Sequence, residues 1–324
     1  MGHGTRAMRI LITGSSGHLG EALVRELKSL GHEPIGIDRL DAPTTTVVAS
    51  ITDRTEVARA MAGVDAVIHA ATLHKPHVAT HSKQQFIDTN VTGTLTLLEE
   101  AVRQRVGSFV FTSTTSAFGM ALRPDRPSEA VWVSEELAPI PRNIYGVTKT
   151  SAEDLCQLVA AEHGLPCIVL RTSRFFPEED DMKHAMPDYD DANIKASEYL
   201  YRRVDIADIV SAHMLAIERA AELNFDRFII SATTPFVQSD CAELIGNAPA
   251  VVKRYCPEYE QVYERLGWRM FDTIGRVYVN ARARQKLRWQ PRYDFAHVVA
   301  ALAAGESPLS PLAQAIGAKG YHRE

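Results

Sequence analysis

The sequence predicts an α/β protein built on a doubly wound parallel sheet, with a smaller, mostly helical lobe beside it. Short apolar runs alternate with segments of helical periodicity as far as Arg171. A glycine-rich turn joins the first strand to the first helix. After Arg171 the alternation gives way to an irregular, acidic, proline-punctuated segment at 173–198. Such alternation is typical of a parallel sheet with helices on both faces, and an excursion beyond the carboxyl ends of its strands is where a substrate pocket forms.

Each element follows from an apolar run and the residues that flank it. The first strand is predicted at 8–13, because this run is short, mostly apolar and suited to a strand buried on both faces. The first helix, at 18–30, carries leucines at helical spacing and is closed by Gly31. The same reasoning predicts strands at 33–37, 46–49, 65–69, 107–112, 166–171 and 226–231, and helices at 53–62, 83–105, 144–163 and 206–221.

Gly14, Gly17 and Gly20 form a Gly-x-x-Gly-x-x-Gly turn between the first strand and the first helix. Free backbone N–H groups and the helix dipole both attract an anion there, so the turn suits the pyrophosphate of a dinucleotide. Asp38 ends the second strand, where a carboxylate accepts hydrogen bonds from ribose hydroxyls and repels a 2′-phosphate. This favours NAD over NADP, although Arg39 would partner a 2′-phosphate if Asp38 turned away.

Tyr145 and Lys149 form a Tyr-x-x-x-Lys pair that shares one face of a predicted helix. A secondary alcohol gives up hydride only if its hydroxyl proton leaves as well, and tyrosine, with an unperturbed pKa of about 10, is a poor base at neutral pH. A lysine one helical turn away stabilises the phenolate by its positive charge. The pair therefore indicates a base for alcohol oxidation; the alternative is two surface neighbours on a helix.

The composition is that of an ordinary globular protein, with 45% hydrophobic and 23% charged residues. A net charge of −5 gives no support for a nucleic-acid partner, which would want a basic face. We expect no membrane segment, because no apolar stretch approaches spanning length, and the N-terminus lacks a signal-peptide core. The four cysteines show no metal-like or paired spacing, so reduced thiols and a cytoplasmic location are expected.

The chain resembles the extended short-chain dehydrogenase/reductase family, the group that contains NAD-dependent nucleotide-sugar epimerases and dehydratases. The resemblance covers about residues 8 to 295. The matching segments, in the family's order, are 13–20, 65–71, 90–94, 109–114, 145–149, 169–171, 203–208 and 286–291.

This resemblance implies a Rossmann-like NAD-binding domain at 1–172 with about 203–231, and a substrate-binding lobe at 173–202 and 232–324. It implies an epimerase or dehydrogenase that transfers hydride between nicotinamide and a carbinol carbon of a sugar-like substrate, with nucleotide sugars and sugar acids as candidates. The alternative is a catalytically silent NAD-binding sensor or scaffold protein.

A homodimer is also implied, packed through helices 83–105 and 144–163. Its apolar contacts would come from residues that could equally face the sheet: Leu95, Leu98, Val102, Leu155, Leu158 and Val159.

The resemblance assigns catalysis to Tyr145, Lys149 and Thr114. Thr114 would orient the substrate oxygen, Tyr145 would move the proton, and Lys149 would also hold the nicotinamide ribose. The implied cofactor-binding residues are Gly14, Ser16, Gly17, His18, Leu19, Gly20, Asp38, Ile51, Ala70, Ala71, Asn90, Tyr145 and Lys149. The predicted substrate-binding residues are Ser113, His74 and Arg174. For Asn90, support of the active-site helix and a helix-capping role are both open.

Two departures from the family pattern bear on the substrate. Thr115 and Ser116 stand where sugar-nucleotide dehydratases carry an Asp-Glu pair for water elimination, so dehydration is disfavoured. Arg174 stands where nucleotide-sugar enzymes commonly carry an asparagine near the diphosphate. Its guanidinium would grip a phosphate or a carboxylate.

The segment after Arg174 is strongly acidic, with carboxylates at 178–181 and at Asp188, Asp190 and Asp191. It is either a solvated loop tip or a site that recognises a cation or an amine. Arg202 and Arg203 are expected to neutralise part of its charge.

His74, His77 and His81 would share one face of a helix, a spacing conceivable for zinc. No acidic or cysteine residue lies nearby in the sequence, and the resembling family needs no metal. We therefore predict no metal ion and interpret the histidines as a polar rim of the pocket.

Overall fold

The structure is a computed structural model and describes residues 6–123, 128–178 and 186–320. Its strands are β1 (Arg9–Thr13), β2 (Glu33–Asp38), β3 (Val47–Val48), β4 (Ala66–His69), β5 (Ser108–Thr114), β6 (Val131–Val133), β7 (Cys167–Thr172), β8 (Phe225–Ile230) and β9 (Arg276–Tyr278). Among these, seven form one parallel sheet in the order β3-β2-β1-β4-β5-β7-β8. The predicted doubly wound sheet is thereby confirmed. Its strand order reverses between β1 and β4, where a crevice forms at the carboxyl ends.

Helices cover both faces of the sheet. They are α1 (His18–Ser29), α2 (Arg54–Ala60), α3 (Lys83–Phe86), α4 (Gly93–Arg103), α5 (Ile144–His163), α6 (Asp191–Glu198), α7 (Ile206–Leu223), α8 (Cys241–Tyr255), α9 (Tyr259–Leu266), α10 (Ala281–Lys286), α11 (Phe295–Ala304) and α12 (Pro311–Ile316). A π-helical segment, Ile87–Thr92, joins α3 to α4 without a break. Over the described ranges, the search for a helix with the length and apolarity to cross a membrane finds none.

Both faces of the sheet are buried, which explains the nearly continuous apolar runs of its strands. On β1, Ile10 and Ile12 join a core cluster with Leu23 of α1. Leu11 points the other way and packs in a second cluster with Leu97 of α4. Successive residues of a strand alternate between faces, so this one strand contributes to two cores.

The second lobe has a core of its own, which includes Leu244, Val251, Tyr263 and Phe295. The segment predicted to be irregular at 173–198 contains α6, which contributes Ile194 to this core. The parallel pair of β6 with β9 is a further element without a counterpart in the sequence prediction. It connects the lobe to the segment that follows β5.

The last part of the chain returns to the sheet. Leu287 and Trp289 lie in the same core as Ile10, and the Trp289 indole N–H donates to the Asp208 carbonyl at 3.0 Å. Helix α12 contacts α1 and α7. Residues 281–289 and 311–316, which were predicted to belong to the lobe of 232–324, therefore pack with the domain built on the parallel sheet.

Two of the residues expected at a dimer interface face the interior instead. Leu98 and Val159 are buried in the core of this chain. Leu158 is 48% exposed and Val147 is 46% exposed. These two lie on the same face of α5, about three turns apart, because an α-helix repeats every ~3.6 residues.

Glu198 at the end of α6 is fully buried between two arginines. It accepts a hydrogen bond from Arg203 Nε at 2.9 Å and pairs with Arg202. Burial alone would raise its pKa, but the two guanidinium groups outweigh burial and lower the pKa to about 2. Arg202 and Arg203 therefore pair with Glu198. Residues 179–181 of the acidic segment, whose charge these arginines were expected to neutralise in part, lie outside the described ranges.

We predict that Glu198→Gln lowers the free energy of unfolding by about 3–5 kcal/mol, because it leaves buried guanidinium charge uncompensated. Urea denaturation at pH 7 measures this, with the exposed pair partner Glu222→Gln as a control that changes little. The folded pKa of about 2 lies below the ordinary pKa of a glutamate side chain, 4.5. The stabilisation is thus present above pH 4.5 and is lost as the pH falls towards 2. An unchanged denaturation midpoint in Glu198→Gln would contradict the prediction.

Candidate active site

A cleft of about 580 Å³ runs along the carboxyl ends of the strands. Its walls come from the glycine turn, the ends of β2, β4, β5 and β7, the start of α5 and the second lobe. Among the predicted site residues, those that line it are Gly14, Ser16, Gly17, His18, Leu19, Gly20, Asp38, Ile51, Ala70, Ala71, His74, Ser113, Thr114, Tyr145 and Arg174. The predicted residues thus converge from all along the chain.

The glycine turn is tightly packed against the strand ends. A Cβ atom on Gly20 would lie 1.9 Å from the Gly14 carbonyl oxygen, and one on Gly14 would lie 2.8 Å from the Ala71 nitrogen. Side chains at either position would push α1 away from the sheet. The turn therefore brings the N-terminus of α1 to the cleft floor, as a pyrophosphate site requires.

Asp38 stays beside this turn. Its Oδ2 accepts a hydrogen bond from the Ser16 backbone N–H at 3.0 Å, and its Oδ1 accepts one from the Leu40 N–H at 3.0 Å. The carboxylate has not turned away, which was the condition for Arg39 to receive a 2′-phosphate. The turn and Asp38 together fit the pyrophosphate and adenosine ribose of NAD.

A buried hydrogen-bond chain fixes the wall formed by Ala70 and Ala71. Thr13 Oγ1 accepts from both of their backbone N–H groups, at 3.1 and 3.0 Å, and bonds to His69 Nδ1 at 2.7 Å. Since Thr13 already accepts twice, its proton goes to His69, which leaves the imidazole proton on Nε2, facing Thr94. Burial, with a smaller effect of Lys149, holds the pKa of His69 well below its usual value. Thr13 and His69 are not among the site residues predicted from the sequence. The signal for them was a polar residue in each of two otherwise apolar strands.

Asn90 lies behind the cleft wall rather than on it. Its side chain accepts from the Leu73 N–H at 2.8 Å and donates to the Leu73 carbonyl at 2.9 Å and to Thr148 Oγ1 at 3.0 Å. It is 2% exposed and lies in the π-helical segment. The predicted cofactor contact is corrected accordingly: Asn90 ties α5 to the loop after β4, which corresponds to the helix-supporting alternative.

The three predicted catalytic residues meet at the start of α5. Tyr145 and Thr114 both lie at the cleft surface, and the Thr114 side chain is close enough to the phenol to lower its pKa in part. The Lys149 ammonium, one turn further along, donates to the Thr112 carbonyl at 2.7 Å and lies 4.0 Å from the centroid of the Phe111 ring. Strand β5 thus supplies the Thr112 carbonyl to Lys149 and places Thr114 beside Tyr145.

The pKa values of Tyr145 and Lys149 differ from those expected from the sequence. Burial raises the pKa of Tyr145 to about 12, although the Thr114 side chain lowers it in part. Burial also lowers the pKa of Lys149 to about 7, against the carboxylate of Glu153, which raises it. The expected acidification of the phenol by Lys149 is therefore not realised in this state. The lysine is directed to Thr112, and burial dominates.

Glu153 continues the helical row of Tyr145 and Lys149 by one more turn and is 1% exposed. Arg171 Nη2 donates to it at 2.7 Å, and Arg227 Nε lies 3.2 Å away. The Ser113 hydroxyl donates to Glu153 at 2.5 Å. Ser113 borders the cleft, but its proton is committed to Glu153, which revises its predicted role as a donor to substrate. Glu153 could have been predicted from the sequence, because it follows Lys149 by four residues and therefore lies on the same helical face.

Positively charged side chains also line the cleft. Arg174, Arg202 and Arg276 are among them, as is the aromatic ring of Phe176, and Arg202 pairs with Glu198. His74 stacks on Phe176 with ring centroids 5.7 Å apart. Arg174 forms an isolated β-bridge with Arg203, which places the predicted substrate residue at the junction of sheet and lobe. Guanidinium groups in a cleft select anionic ligands.

The three histidines contact one another in sequence. The ring centroids of His74 and His77 are 4.5 Å apart, and those of His77 and His81 are 5.0 Å apart. All three line the cleft. A search of the described residues for three or more potential metal ligands in one place returned no group.

Comparison with known proteins gives a consistent result. Residues 10–230 match the model of the NAD-dependent epimerase/dehydratase family. The chain is 26% identical to a UDP-glucose 4-epimerase of Rhizobium meliloti, over 89% of this chain and 94% of that protein. It is 29% identical to an NAD-dependent glucose-6-phosphate dehydrogenase of Haloferax volcanii, over 55% of this chain and 74% of that one. Among solved structures, a short-chain dehydrogenase/reductase superfamily protein from Agrobacterium tumefaciens with bound NAD gives a TM-score of 0.67. The two sequences are 22% identical, and the match covers 91% of this chain and 96% of the Agrobacterium chain.

We predict that Glu153→Gln lowers the pKa of Lys149 further, by about 1, because it removes the carboxylate that favours the ammonium. The measurement is an NMR titration of ¹³Cε-labelled lysine in the cofactor-free protein. Glu162→Gln, at an exposed position of the same helix, is the control and should leave the Lys149 titration unchanged. A Lys149 pKa that stays constant or rises in Glu153→Gln would contradict the electrostatic coupling.

Proposed function

The chain belongs to the NAD-dependent epimerase/dehydratase family, and we propose that it is an epimerase or dehydrogenase of an anionic sugar derivative. Family membership confirms the predicted relationship to the extended short-chain dehydrogenases, NAD as cofactor, and an enzymatic role. It gives no support to the alternative of a silent sensor or scaffold.

The observation that carries the proposal is that Tyr145 and Thr114 both lie at the surface of the cleft that also contains the dinucleotide turn. In the proposed reaction the Thr114 hydroxyl binds the substrate oxygen and orients it. Tyr145 exchanges the proton of that oxygen, acting as the acid when it is protonated and as the base when it is ionised. NAD, when bound, supplies the hydride acceptor.

The high pKa of Tyr145 means that the phenol must lose its proton before it can act as the base. With a pKa of about 12, the phenol holds its proton at neutral pH and is ready to donate it. Loss of that proton needs nearby positive charge, and Lys149 on the same helical face is the residue to supply it. Burial lowers the pKa of Lys149 to about 7, and the carboxylate of Glu153 opposes this by favouring the ammonium.

The proposed substrate class is supported by arginines that line the cleft. Arg174, Arg202 and Arg276 favour a phosphate or carboxylate. The similarity to a UDP-glucose 4-epimerase along nearly its whole length supports a nucleotide-diphosphate sugar, and a sugar acid satisfies the same charge. Thr115 and Ser116 offer no carboxylate pair for water elimination, so we propose epimerisation or oxidation rather than dehydration.

The predicted homodimer is part of this proposal, as is a cytoplasmic location. The exposed residues Val147 and Leu158 support a helical interface, since they form an apolar row on the outer face of α5. Leu98 and Val159 lie in the core, so they no longer belong to the interface residues expected from the sequence. Leu158 remains in that group, and Val147 joins it.

The function is tested with a panel of neutral sugars, sugar acids and nucleotide sugars, in which absorbance reports NADH and chromatography reports isomers. We expect turnover of anionic members only, and a loss of about 10²–10⁴-fold in kcat for Tyr145→Phe. Tyr255→Phe, outside the cleft, is the matched control. Net NADH release excludes a pure epimerase, and isomer exchange without release excludes a pure dehydrogenase. Full activity in Tyr145→Phe would refute the proposed role of the phenol.

For the dimer, we expect the wild-type protein to sediment as a dimer at micromolar concentration and Leu158→Glu as a monomer. A charge in the apolar helix interface cannot be paired there and costs several kcal/mol. Leu266→Glu, an exposed leucine on α9, should leave the assembly intact. A wild-type monomer, or a dimer that survives Leu158→Glu, would contradict this interface.

A further inference from the structure

The C-terminal segment 317–320, which we call the C-terminal strap, crosses the dinucleotide turn. It follows α12, which packs against α1, and Lys319 and Gly320 line the same cleft as Gly14 and Gly17. The Lys319 ammonium donates to the Ser16 carbonyl at 2.6 Å and pairs with Glu21 in the first turn of α1. A side chain from the far end of the sequence therefore lies on the turn itself.

Glu178 anchors the strap from the opposite side. Its Oε1 accepts the backbone N–H groups of Lys319 and Gly320, both at 2.9 Å, and lies 2.8 Å from His18 Nε2. The Glu178 side chain is only 10% exposed. This first carboxylate of the acidic segment thus has a defined place, which corrects its reading as part of a solvated loop tip. Three distant parts of the chain meet over the turn.

Charge explains why a lysine is suited to this place. Glu21 and Glu178 are two carboxylates close to the N-terminus of α1, where a pyrophosphate is expected. Burial would raise the pKa of Glu21, but hydrogen bonds from Lys319 and Arg25 outweigh it and keep the carboxylate ionised. Without Lys319, these carboxylates would repel phosphate.

The ammonium also keeps a donor for a ligand. It has three protons, and its acceptors among the described residues are the Ser16 carbonyl and the Glu21 carboxylate. The glycine turn, 14–20, contributes backbone N–H groups and no lysine or arginine of its own.

We infer that Lys319 is a cofactor-binding residue, which neutralises the carboxylates at the dinucleotide turn, donates to the NAD phosphates, and holds the cofactor in the cleft under the C-terminal strap. The inference rests on the NAD site of the proposed function. Release of the dinucleotide on this side requires the strap to detach from Glu178 and Ser16. A retained cofactor suits a reaction in which hydride is taken and returned within one binding event.

The test measures NAD dissociation from the full-length protein, by displacement in stopped-flow fluorescence. We expect Lys319→Gln to raise the dissociation rate about tenfold, as the loss of a charged hydrogen bond predicts. Lys319→Arg, which keeps the charge, should stay much closer to wild type. Lys28→Gln, at the exposed far end of α1, is the matched control. Glu178→Gln should also speed release, since it weakens the strap anchor.

A ligand series separates phosphate binding from a merely structural effect. Lys319→Gln should weaken ADP-ribose and leave adenosine unchanged, because adenosine has no phosphate. Equal weakening of both ligands, or an NAD dissociation rate equal to wild type, would overturn the inference. Thermal unfolding without ligand checks that Lys319→Gln is folded; if it is not, Lys319→Arg and Glu178→Gln decide the outcome by the same rates. If the wild-type protein bound no NAD, the proposed function itself would fail.

Discussion

The burial of Lys149 is the constraint on which the site depends. An ammonium in the interior is costly unless it is hydrogen-bonded and paired. Strand β5 supplies the Thr112 carbonyl, and Glu153 supplies a carboxylate one helical turn away. Glu153 in turn needs Arg171 from β7, so the buried lysine imposes polar residues on the neighbouring strand. The position of α5 on the sheet is fixed by this network as well as by apolar packing.

The remaining parts of the cleft are set by a second chain of polar contacts. Thr13 at the end of β1 and His69 at the end of β4 join the two strands where their order reverses. Thr94 extends the chain to the Asn90 backbone, and the Asn90 side chain reaches α5 through Thr148. Dinucleotide turn, cleft wall and active-site helix are therefore positioned relative to one another by directional bonds. A hydrophobic core alone would not fix them as closely.

The sequence predicted those parts of the fold that are local. Helix α1 and strand β1 follow from periodicity and a glycine turn, and Tyr145 and Lys149 follow from spacing on one helical face. The sequence could not predict β6 and β9, because each has only three residues and is recognisable as a strand only through its pairing with the other. The pKa of Tyr145, the commitment of Ser113 to Glu153 and the place of Asn90 depend on burial and on distant partners. The contact between Glu178 and Lys319 could not be predicted either, since no local pattern indicates that the acidic segment and a lysine near the end of the chain meet.

The contact between Lys319 and Ser16 joins residues separated by 303 positions in the sequence. Closing so long a loop costs little more entropy than closing a loop of half that length, but it can only follow formation of the elements between. We therefore expect the opening beside α1 to be sealed late in folding. A cofactor that stays bound between turnovers would then be loaded once, whereas a cofactor exchanged in each cycle would have to displace Lys319 from Ser16 each time.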